Sequence, residues 1–76
     1  MNVDYVDKVR NAIAQIRKYK YDHNLIGDVR VGVSEDVMEF LKGSKVMTMN
    51  VCGKYFLDNV PVTELKGYPT GYIAAE

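Results

Sequence analysis

The run from Asp4 to Asp22 contains no Gly or Pro and repeats its apolar residues at helical spacing. Val6, Val9, Ile13 and Ile16 recur at intervals of three, four and three, which places them on one face of a helix over residues 4–22. Tyr5, Ala12 and Tyr19 widen that face. Asn2 or Asp4 can cap the start, and Arg17, Lys18 and Lys20 suit the negative end of the helix dipole. So long an apolar stripe must be covered by something. The chain has only 76 residues, one Cys and one His, so neither an internal disulfide nor a thiolate or His-rich metal site can help hold it. Ordering costs about 1.5 kcal/mol per residue, so a chain this short needs a well-packed core or burial against a partner.

Past the helix, His23-Asn24 and Gly27-Asp28 turn the chain, with Asn24 or Gly27 as the left-handed residue. Alternation over residues 29–33 predicts a strand. Ser34 is a good N-cap for a short helix over 35–42, with Val37, Phe40 and Leu41 as its buried stripe and Gly43 as its stop. Residues 46–74 predict an antiparallel β-meander. Val46–Val51 alternates, Cys52-Gly53 and Asp58-Asn59 are turn signals, and Pro61 belongs at an edge or a strand start. The order α-β-α-β-β-β describes one small α+β domain over residues 1–76, with its helices on one face of the sheet.

The residues capable of chemistry are few. His23 reads as a polar helix-end residue, since neighbouring Asp22 points elsewhere on a helix. Cys52 reads as an inert turn residue, because nothing in the spacing brings a cation to activate it. The glycines form no phosphate-cradling motif. Glu35, Asp36 and Glu39 read as a solvated acidic face rather than a cation site. The expectation is a non-enzymatic chain without cofactor or metal. No stretch approaches the roughly 20 apolar residues of a membrane span. Met1–Asp4 lacks the basic start of a secretory signal. Together with a lone Cys, this suggests the cytoplasm.

Lys plus Arg equals Asp plus Glu at ten each, which argues against general attraction to nucleic acid. The charges are nevertheless unevenly spread: residues 1–33 hold six cations against four carboxylates, and residues 34–76 hold four against six. A basic helix and an acidic second half could meet in a homo-oligomer. Arg10, Arg17, Lys18, Lys20 and Tyr21 mix cations with an aromatic ring, so a nucleic-acid interface is the alternative. Six tyrosines lean toward interfaces, most of all in the loop Tyr68-Pro69-Thr70-Gly71-Tyr72. The expected protein-contact surface is Val6, Ile13 and Arg17 of the first helix, whose apolar face looks too wide for the small sheet, with Tyr68, Pro69 and Tyr72.

One segment carries a resemblance. A strand leads into Val33-Ser34-Glu35-Asp36-Val37-Met38-Glu39-Phe40-Leu41-Lys42, a hairpin follows, and then Gly53-Lys54-Tyr55-Phe56-Leu57-Asp58-Asn59-Val60-Pro61-Val62. Residues 29–73 in this order resemble the axial-domain module of tailed-bacteriophage major capsid proteins, and short stand-alone phage and prophage proteins. The spine helix, extended arm and peripheral domain of a capsid subunit cannot fit in 76 residues, so a shell-forming subunit is excluded. No catalytic or binding residue carries over. The resemblance implies a phage-associated α+β protein that works by contact, in the virion or in the host cytoplasm.

Overall fold

A computed structural model describes residues 4–76. Helix α1 spans Tyr5–Asp22, strand β1 Val31–Ser34, helix α2 Glu35–Gly43, and strands β2 to β5 Thr48–Met49, Tyr55–Leu57, Val60–Leu65 and Ile73–Ala75. The fold is α+β, as the patterning predicts. Asp4 caps α1 by accepting from the Val6 and Asp7 N–H groups at 3.0 and 3.3 Å. Asn2, the other cap candidate, lies outside the described residues. At the far end Asn24 takes the left-handed conformation (φ 52°). Its N–H donates to the Tyr21 carbonyl, and that of Leu25 to the Lys20 carbonyl, which is the Schellman arrangement.

The five strands form one sheet in the order β2-β3-β4-β1-β5. The expected meander exists over β2, β3 and β4, all antiparallel. Asp58 and Asn59 both have positive φ (52° and 66°), as a two-residue hairpin turn between β3 and β4 requires. The meander then stops. β4 pairs parallel with β1, Val31 opposite Val62, and β5 returns on the other side of β1, antiparallel. Alternation tells which face a residue joins but not which strand lies beside it, so the parallel pair is invisible in the sequence. Pro61 therefore sits on an interior strand. It is tolerated because the pairing with β1 begins one residue later, at Val62.

Register puts Val31 and Val33 of β1, Val60 and Val62 of β4, and Leu57 of β3 on one face. Val6, Val9 and Ile13 of α1 and Val37, Met38 and Leu41 of α2 complete the same core. Both helices thus cover one face of the sheet. This corrects the expectation for α1: Val6 and Ile13 are buried in the chain's own core and present nothing to a partner. Three local readings also change. Met38 replaces Phe40 in the buried stripe, while Phe40 sits edge-on to Tyr5 with ring centroids 5.3 Å apart. Gly43 is the last helical residue rather than the stop, and Lys45 takes the left-handed position (φ 57°). The expected strand over Val46–Val51 shrinks to Thr48–Met49, because the Asn50 side chain accepts from the Cys52 and Lys54 N–H groups and turns the chain.

Leu57 is fully buried, whereas Met49 on the neighbouring strand is 61% exposed. Leu57→Ala is expected to cost about 2–5 kcal/mol in urea unfolding. Met49→Ala is expected to stay within about 0.5 kcal/mol of wild type.

Candidate interaction surface

The chain leaves β4 at Leu65 and must cross the end of β1 to become β5. What holds this crossing is a small polar cluster at the start of α2. Gly71 N–H donates to both carboxylate oxygens of Asp36, at 3.1 and 3.0 Å. The Ser34 hydroxyl donates to Asp36 Oδ1 and accepts from Tyr72 N–H at 3.2 Å. Ser34 N–H donates to the Tyr72 carbonyl at 2.9 Å. Ser34 occupies the N-cap position but makes no side-chain cap bond, because its hydroxyl serves Asp36 and Tyr72 instead. Gly71 has φ 78°, and a Cβ there would approach the Tyr5 hydroxyl at 3.3 Å, so glycine suits both the turn and the close approach.

Asp36 differs from its exposed neighbours Glu35 and Glu39, with which it had been grouped as a solvated acidic face. Its carboxyl is held below the ordinary aspartate range. The Ser34 hydroxyl contributes most. Partial loss of water pushes the other way, and the N–H groups of Gly71, Asp36 and Val37 add to the lowering. Ser34, Asp36 and Gly71 are the residues that sequence reasoning missed. A serine two residues before an aspartate at a helix start is a local signal, but its partner lies 35 residues away in sequence.

The cluster displays two aromatic rings. Tyr68 and Tyr72 pack at 4.8 Å between centroids and are 50% and 37% exposed, with Pro69 exposed between them. They border the sheet face that neither helix covers. There a groove of about 450 Å³ is lined by Gly32, Thr63, Leu65 and Ala74 together with both rings. Gly32 allows Leu65 to lie across β1, since a Cβ at Gly32 would meet Leu65 Cδ1 at 2.7 Å. Glu35 and Glu39 lie near Tyr68 and give this end of the surface a negative rim.

The basic residues of α1 are not gathered in the same way. Arg10 is paired with Asp58 at 3.1 Å, and the Lys20 ammonium donates to the Asp28 carbonyl at 3.1 Å. Lys18 follows Arg17 directly, so the two point about 100° apart around the helix. Arg17, Lys20 and Tyr21 line a cleft of about 650 Å³, with Phe56, Asn59 and Pro61 across from them. His23 is exposed, stacks on Tyr19 and donates from Nδ1 to the Tyr19 carbonyl at 2.9 Å. Cys52 is exposed in the β2–β3 turn. Among the described residues no group of His, Cys, Asp and Glu could hold a metal ion, and no helix is long and apolar enough to cross a membrane. Comparison with protein-family models, curated proteins and solved structures found no match.

The lowered Asp36 carboxyl sets a pH dependence. The unfolded chain binds the Asp36 proton more tightly, so the cluster's contribution is complete above the unfolded value near 4 and fades as pH falls through the lower folded value. The expected result is that Asp36→Asn lowers the urea midpoint at neutral pH, and that the gap to wild type closes in acid. A gap independent of pH contradicts the assignment.

Proposed function

We propose that this chain acts by protein–protein contact, and that its contact surface is the Tyr68-Pro69-Tyr72 loop with the adjoining bare face of the sheet. The observation that carries this reading is the pair of exposed tyrosines on a loop whose Gly71 and Tyr72 N–H groups are held by Asp36 and Ser34. Rigid aromatic rings beside a groove that holds Leu65 and Ala74 and is bordered by the exposed Arg30–Glu76 pair lose little entropy on binding, and Tyr is enriched among residues that dominate binding energy. The negative rim from Glu35 and Glu39 favours a partner patch that is apolar at its centre and carries Lys or Arg at its border. Arg17, exposed on the far side of α1, belongs to a separate cleft. The resemblance of residues 29–73 to capsid axial-domain modules supports a phage or prophage setting. There the chain serves as a virion accessory or as a binder that inhibits a host protein.

Capture from host-cell lysate on the immobilised chain tests this, followed by affinity measurement on the purified partner. Tyr68→Ser/Tyr72→Ser is expected to weaken binding about ten-fold or more, and Arg17→Ala/Lys18→Ala to leave it near wild type. Equal binding by the tyrosine variant contradicts the proposed surface. Retention that vanishes on nuclease treatment and falls steeply with salt would support the nucleic-acid alternative instead.

A further inference from the structure

Edge strands expose backbone groups that pair readily with another chain, and proteins commonly blunt them with lysine, proline or a bulge. Strand β5, Ile73-Ala74-Ala75, has none of these and is the last strand of the sheet among the described residues. Its free side can be read from its bonded side. Arg30 and Glu76 exchange both backbone hydrogen bonds, at 3.0 and 2.9 Å, and Ser34 N–H donates to the Tyr72 carbonyl. Bonded and non-bonded pairs alternate in an antiparallel ladder. Gly32 and Ala74 are therefore bonded, while the N–H and C=O groups of Ile73 and Ala75 point away from β1.

Beside this edge runs an open groove of about 430 Å³ between β5 and one flank of α1. Ile73 and Ala75 line one side of it, and Ala12, Gln15, Ile16 and Tyr19 the other. Lys8, Gln15 and Asp22 follow one another at seven-residue spacing along this flank, close to two helical turns apart. Neither Lys8 nor Asp22 has an ion-pair partner among the described residues.

We propose that a second copy of this chain fills the groove, with β5 pairing antiparallel to β5 about a two-fold axis near Ala74 and Gln15. The axis places Lys8 of each copy opposite Asp22 of the other, with Gln15 against Gln15. It sets Ala12 of one helix across from Tyr19 of the other, a small residue against a large one. A two-fold interface must be self-complementary, and the order cation, neutral amide, anion is self-complementary when two helices run antiparallel. This order favours a second copy over an unrelated strand. The two five-stranded sheets become one, and the Tyr68–Tyr72 surfaces of both copies lie on the same continuous face.

Sedimentation equilibrium of the full chain at low salt tests the proposal, with circular dichroism confirming the fold of each variant. The wild type is expected to form a dimer with a micromolar or tighter dissociation constant. Lys8→Glu is expected to weaken it about ten-fold or more, since two attractive pairs become repulsive. Lys8→Glu/Asp22→Lys should restore it. Ala75→Pro removes an outward N–H without touching the bonds to β1 and should leave a monomer. Tyr68→Ser lies outside the β5 register and should dimerise as wild type does, which separates this surface from the contact surface proposed above. A wild-type chain that stays monomeric into the millimolar range overturns the proposal. So does a dimer indifferent to Lys8→Glu and Ala75→Pro, or one that the charge swap fails to restore.

Discussion

The Asp36 carboxylate governs where the last part of the chain goes. By accepting from Gly71 N–H and the Ser34 hydroxyl, it ties the segment after β4 to the start of α2. From that tie the chain enters the free side of β1 as β5, rather than folding back directly alongside β4 as a continued meander would. The tie also makes β1 a central strand, with Val31 and Val33 between β4 and β5 and under the helices. A charged acceptor gives hydrogen bonds about twice as strong as neutral ones. A short loop with little apolar burial of its own gains order from such bonds.

Placing both helices on one face has a consequence for recognition. The core on that side is completed by Val6, Val9 and Ile13, so α1 keeps only its flank of Ala12, Ile16 and Tyr19 open, beside β5. What remains open is the opposite face, with Leu65, Ala74, Tyr68 and Tyr72, and the β5 edge. Side chains on sheet strands, and a loop pinned at Gly71, are held more firmly than residues on a free loop. Such pre-ordering lowers the entropy cost of association.

Much of the fold was readable from the residues. The helical spacing of Val6, Val9 and Ile13, the capping Asp4, the left-handed Asn24 and the Asp58-Asn59 turn all report through local chemistry, and each stands where that chemistry puts it. The parallel β1–β4 pair and the role of Asp36 depend on residues far apart in sequence, which no local pattern records. The wide α1 stripe divides in the same way, by which residues the distant strands reach. Val6, Val9 and Ile13 are covered by α2 and the valines of β1 and β4, while Ala12, Ile16 and Tyr19 remain partly open beside β5. The exposed Tyr68-Pro69-Tyr72 loop was visible in the sequence because Pro and Gly mark loops and tyrosine marks surfaces. Its anchoring was not.

Amide hydrogen exchange on wild type and Asp36→Ala, followed residue by residue at neutral pH, tests the role of this carboxylate most directly. Gly71, Tyr72, Ala74 and Glu76, with Gly32 and Ser34 across the ladder, are expected to lose protection in the variant, while the middle of α1 and the β3–β4 hairpin keep theirs. Equal loss throughout the chain, or unchanged protection from Gly71 to Glu76, would contradict that role.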